Sequence, residues 1–222
     1  MLDWQWALAV AIGGVVAAQI AYLIATTLAA AVFRFPVDII SLGAGPTLLK
    51  LRVGGVTLRA ALFVFSGYVK FKDVPEHEPP APGTFIAAPW WQRLIAAIIG
   101  PIGMIAVAGP FLFADTIPVA LSAIEFCAGL VLNPAQTIDL TAALTSLRET
   151  RGTLGAVAVV SAFTGGLQFL PISFMAGGTA ILYLAEAFHG EPLPPRLLEL
   201  IHRLFFGVAV ALLILATIAI VR

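Results

Sequence analysis

The sequence predicts an all-α integral membrane protein, with about four transmembrane segments and one membrane-associated β-hairpin on the cytoplasmic side. Composition is the first observation: 60% of the 222 residues are hydrophobic and 11% are charged, a balance unlike that of water-soluble domains. The second is how the charges are spaced. None falls between Asp3 and Arg34, between Arg93 and Asp115, or between Arg151 and Glu186. Each gap can hold the run of about 20 apolar residues that crosses a bilayer. Leu204 to Val221 is shorter but uniformly aliphatic, and it completes the expected four. The third observation is that residues 34–73 break the helical pattern.

Taken in chain order, a single membrane domain over residues 1–222 is expected. Helix one, residues 4–33, starts with Trp4 and Trp6, rings that favour the headgroup level. It lacks the basic flank of a cleaved signal and is expected to stay as an anchor. Residues 34–73 alternate β-branched residues with Gly54-Gly55 and Ser66-Gly67 turns and read as a hairpin or small sheet. Its apolar middle is able to dip into the membrane where protein covers the backbone. Residues 74–89 form a Pro-rich acidic loop.

Helix two is expected over 90–114, opening on Trp90 and Trp91, and an interfacial helix with its loop over 116–151. A broken helix three follows over 152–190, interrupted by Gly165-Gly166, Pro171 and Gly177-Gly178. It reads equally as a helix to Leu170, a loop, and a second helix from Thr179 to His189. Helix four covers 195–222. Arg34, Lys50, Arg52, Arg59, Lys70, Lys72, Arg93, Arg196 and Arg203 fall on one side of this scheme, and Arg148, Arg151 and Arg222 on the other. The positive-inside rule puts the β element in the cytoplasm and both termini outside.

The inventory of reactive groups is thin. Net charge is zero with scattered basic residues, so nothing steers a nucleic acid. The single Cys127 excludes an internal disulfide and a cysteine-based metal site. His77 falls in the acidic loop. Glu186 and His189 lie one helical turn apart, half of a di-metal arrangement, and a helix-end ion pair explains them more simply. No HExxH, no Gly-x-Ser-x-Gly elbow and no phosphate-binding glycine loop occurs. Glu125 is the lone carboxylate in an apolar run, a possible ionisable site in the membrane or a partner for Arg148.

Three stretches together resemble the site-2 proteases, intramembrane zinc metalloproteases, and in particular bacterial members that cut anti-sigma factors. Phe35 to Pro46, followed by Leu62 to Phe71 with Phe65, Ser66, Gly67 and Tyr68, is similar to the family's membrane-dipping hairpin. Ser66 replaces a usual glycine there. Gly100, Pro101 and Met104 resemble its Gly-Pro-x-x-Asn, with Met104 for Asn. Gln168, Pro171, Ala176, Gly177 and Gly178 resemble its Asn-x-x-Pro-x-x-x-x-Asp-Gly-Gly.

The same resemblance places the HExxH positions on Tyr22, Leu23, Ile24, Ala25 and Thr26, and the Asp ligand on Ala176. It therefore implies no zinc, no other cofactor and no PDZ module. The expected function is a catalytically inactive pseudoprotease of the bacterial inner membrane. It would bind another integral membrane protein through the groove of Phe65 to Tyr68, Gly100, Pro101, Met104, Gln168, Pro171, Gly177 and Gly178, as a scaffold or accessory subunit. The alternatives are an unconventional metalloprotease using Glu186, His189 and His202, and a small transporter or channel component using Glu125.

Overall fold

The computed structural model describes residues 3–64, 67–72, 82–132, 140–172, 175–190, 193 and 195–221. Phe65, Ser66 and His77 lie outside the described residues.

The first helix, α1 (Asp3–Phe33), has 31 residues. At 1.5 Å per residue it is about 45 Å long, more than the thickness of a hydrocarbon core. It ends at Arg34, which takes a positive φ of 59°, and it cannot resume at Phe35, because a residue before proline is driven out of the helical region. Four strands follow: β1 (Val37–Leu42), β2 (Ala44–Val53), β3 (Val56–Phe63) and β4 (Tyr68–Phe71). Their order is β2-β3-β1-β4. β2 and β3 form a hairpin around Gly54 and Gly55, whose φ values of 57° and 86° suit a tight turn that side chains would strain. β1 runs parallel to β3, and β4 is the antiparallel edge strand beside β1.

The remaining helices are α2 (Trp90–Ala106), a short α3 (Gly109–Leu112), α4 (Thr116–Leu132), α5 (Leu140–Leu167), α6 (Ala176–His189) and α7 (Pro195–Val221). α1 packs on α2 and α5, α5 also on α4 and α2, α6 on α2, and α7 on α4. The buried positions are dominated by small residues: Ala18, Ala108, Ala123, Ala156 and Ala162 are fully covered. Dispersion over close-approaching backbones, rather than escape from water, holds such helices together in lipid. The buried Ser161 hydroxyl donates to the Gly14 carbonyl at 2.8 Å, tying α5 to α1.

This architecture corrects the expectation of an all-α protein with four spanning helices. The hairpin is present, but it is half of a four-stranded mixed sheet. Among the described residues, two helical segments are long and apolar enough to cross a membrane: Trp4–Phe33 and Trp90–Gly129. The long uncharged stretches do not translate into straight spans for local reasons. α5 carries Arg148, Glu149 and Arg151 in its first half and bends at Gly152, where the backbone leaves helical geometry. The stretch after it is divided, α5 ending at Leu167 and α6 covering only 14 residues. Arg196, Glu199 and Arg203 occupy the first half of α7.

Candidate functional site

Gln19, Tyr22 and Thr26 fall at helical spacing on one face of α1. That face meets α2 at a point of unusually close approach. A Cβ at Gly100 would fall inside the Tyr22 ring and 2.8 Å from Thr26 Oγ1, and one at Gly103 would sit 2.7 Å from the Ala25 Cβ. Glycine at both positions lets α2 press against α1. On the other side stands the β4 edge. The Gly67 amide, just before β4, donates to Gln19 Oε1 at 2.9 Å, so a fully buried glutamine side chain anchors the sheet to the helix. α6 closes the third side. Its first turn is held by the preceding segment through a Gly177 amide donating to the Gln168 carbonyl at 2.8 Å.

Between these walls lies a cavity of about 400 Å³, lined by Gln19, Tyr22 and Thr26 from α1, Gly67 to Val69 and Phe71 from the sheet, Gln168, and Ala176, Thr179 and Tyr183 from α6. Tyr22 and Thr26 face each other one turn apart. Even so, the Thr26 Oγ1 is buried without completing a well-formed hydrogen bond to any described group. Phe71 and Phe85 stack with centroids 4.4 Å apart at one end, and Phe85 meets Tyr183 edge-on at 6.3 Å. Beneath Tyr183 the Arg93 guanidinium lies 4.9 Å from the ring centroid and donates to Glu186 at 2.6 Å. This pair locks α6 to α2.

The structure gathers Tyr22, Thr26, Ala176, Gly67, Tyr68 and Gln168 around one cavity, with Gly100 directly behind Tyr22. It places other expected groove residues elsewhere. Pro101 and Met104 are buried where α2 meets Gly165 of α5. Pro171 lines a separate apolar groove with Cys127 and α7. Leu23 turns toward the sheet, beside Ile40 and Leu58. Gly177 and Gly178 are buried in the first turn of α6. Glu186 is engaged with Arg93 rather than with His189, which is exposed at the end of α6. Glu125 is exposed on α4, and Arg148 lies over the Trp6 ring. Gln19, Thr179, Tyr183 and Phe85 were not singled out by sequence. For Gln19 the signal existed, since it precedes Tyr22 and Thr26 on one face of an otherwise apolar helix.

Zinc in a protein is held by imidazole, thiolate or carboxylate groups. The cavity lining contains none of these. Among the described residues no three His, Cys, Asp or Glu side chains converge anywhere. Hydroxyls, amides and a methyl group do not make a zinc donor set, so the residues present do not fit the metal, and no catalytic step is drawn through it.

A helical protein with two segments able to cross a membrane, and with a mixed sheet whose edge strand borders a cavity between helices, is the class that this fold and site define. A family model described as peptidase family M50 matches residues 24–214. The chain therefore belongs to that family, the site-2 proteases, a family of metalloproteases. The match begins at Ile24, two residues after Tyr22. No curated protein matches the chain.

Proposed function

We propose that this member of family M50 has no peptidase activity and works by holding a segment of another membrane protein in the cavity beside β4. The observation that carries the reading is the cavity lining itself, in which Tyr22, Thr26 and Ala176 converge without one metal-ligating side chain. Peptide hydrolysis by this family's chemistry needs a metal that activates water and polarises the carbonyl. A cavity without ligands keeps the shape for binding and loses the means for cleavage.

Retention of an edge strand supports the binding half of the proposal. Among the described residues β4 pairs only with β1, so its other edge is available to an extended segment, which main-chain hydrogen bonds would hold. The chain would then act as a scaffold or accessory subunit in a bacterial cytoplasmic membrane, with the sheet toward the cytoplasm and both termini outside. The pairing of Glu186 with Arg93 argues against recruiting Glu186 and His189 as an alternative metal site.

Affinity purification of the full chain from mild detergent tests this reading. A stoichiometric membrane-protein partner is expected, and Ala176→Phe, which fills the cavity from the α6 side, should reduce its recovery at least tenfold while leaving the chain folded. Recovery of the wild-type chain with no such partner, or full retention of the partner by Ala176→Phe, would argue against it.

A further inference from the structure

Among the described residues the β2–β3 hairpin supplies none of the cavity lining, yet its two faces are sharply different. Its register sets Leu49 opposite Ala60, Leu51 opposite Leu58 and Val53 opposite Val56. Alternate residues of a strand point the same way, so these six share a face. Leu49, Leu51 and Val53 on it are 55%, 52% and 61% exposed. The opposite face sets Lys50 directly across from Arg59, and Arg52 across from Thr57.

Neither face is satisfied by the protein. A run of exposed Leu and Val on a hairpin is an aggregation hazard in water. Leu49, Leu51 and Leu58 of this face line an open groove with Ile40, Leu42 and Leu23 of α1. The apolar surface therefore continues from the hairpin onto a helix long enough to cross the bilayer. On the basic face, like charges directly opposite each other repel. Among the described residues no carboxylate pairs with Lys50, Arg52 or Arg59, and the Arg59 guanidinium donates to the Gly45 carbonyl instead. Asp38 is the sole acidic residue between Arg34 and Lys72, a segment with six basic ones: Arg34, Lys50, Arg52, Arg59, Lys70 and Lys72.

We propose that the β2–β3 hairpin is a binding site for anionic phospholipid, with the Leu and Val face against acyl chains and the exposed Lys50 and Arg52 on the phosphate headgroups. Long basic side chains reach from an apolar base to the headgroup layer, and a leaflet carrying anionic lipid attracts them. An acidic soluble partner would match the basic face and leave Leu49, Leu51 and Val53 in water. A neutral leaflet would cover those residues and leave the repulsion between Lys50 and Arg59 unrelieved. The proposal involves no residue of the cavity and stands apart from the question of peptidase activity.

The test uses the full chain reconstituted in bilayers of phosphatidylcholine, probed with spin-labelled phosphatidylglycerol and spin-labelled phosphatidylcholine. The wild-type chain is expected to prefer the anionic probe several-fold. Each basic side chain beside an anionic surface contributes up to about fivefold, so Lys50→Gln/Arg52→Gln should bring the preference to near unity. Arg203→Gln, on α7, should leave it unchanged. A second reading uses single cysteines in a Cys127→Ser background. A probe at Leu51→Cys should be quenched by lipid-chain quenchers, and one at Arg52→Cys should not. No anionic preference in the wild-type chain, an unchanged preference in the double variant, or equal quenching at positions 51 and 52 would overturn the proposal.

Discussion

At Gly100 the absence of a side chain decides how the first two helices meet, because any Cβ there would enter the Tyr22 ring. Gly100→Val is therefore expected to destabilise the protein by about 1–3 kcal/mol through overpacking. Adding Tyr22→Ala should recover much of that loss, a coupling that thermal unfolding of the two single variants and the double variant would measure. Thr26 leads to the opposite expectation. Among the described residues its buried hydroxyl completes no hydrogen bond, and an unsatisfied buried hydroxyl costs about 1–3 kcal/mol. Thr26→Val, nearly the same shape, should leave the melting temperature of the chain in detergent unchanged or raise it.

The Arg93 and Glu186 side chains, 16% and 11% exposed, behave as a unit. Glu186→Ala leaves a guanidinium buried whose Nε already lacks a partner, and breaking such a pair costs about 3–5 kcal/mol. Arg93→Met with Glu186→Leu should be far milder than Glu186→Ala alone, by the same unfolding measurement.

Among the elements, the sheet was partly legible in the sequence and partly not. Gly54-Gly55 between β-branched runs marks a hairpin, because turn chemistry is local. The parallel pairing of β1 with β3 is not local, since it brings Ile39 beside Thr57 across an intervening strand. The helices show the same limit. An uncharged stretch reveals that lipid or protein must cover it, but not whether it is one rod; between α5 and α6 it was Gly165-Gly166, Pro171 and Gly177-Gly178 that marked the break, while the Gln168-to-Gly177 contact that fastens it is not local.

Beside its ladder with β1, β4 is tied to α1 by the Gln19 side chain, through its bond to the Gly67 amide. Gln19→Leu keeps the volume roughly constant and removes the acceptor. Amide hydrogen exchange should then speed up at positions 67–71 by tenfold or more, a loss of about 1.4 kcal/mol of protection, while α5 exchanges as before. Equal exchange in both regions would show that the strand is held by other means.

For the molecule as a whole, composition identified the solvent as lipid, and the family resemblance identified where to look for a site. The cavity brings Tyr22, Thr26 and Ala176 to one place although Ala176 is 150 residues from Thr26 in the chain. Spacing within α1 alone suffices to put Tyr22 and Thr26 on one face. The contribution of Ala176, Thr179 and Tyr183 was legible only through resemblance or not at all, because helix crossing angles are set by small-residue contacts at Gly100, Gly103 and Gly165 that have no signature in hydropathy.

Among its described residues, the cavity at Tyr22, Thr26 and Ala176 presents no imidazole, thiolate or carboxylate to a metal. Zinc content of the purified full chain, measured after exposure to zinc and removal of loosely bound ions, tests it most directly. Far less than one zinc per chain is expected, with no difference between the wild-type chain and Tyr22→Phe. One zinc per chain, lost on substitution of a cavity residue, would contradict it.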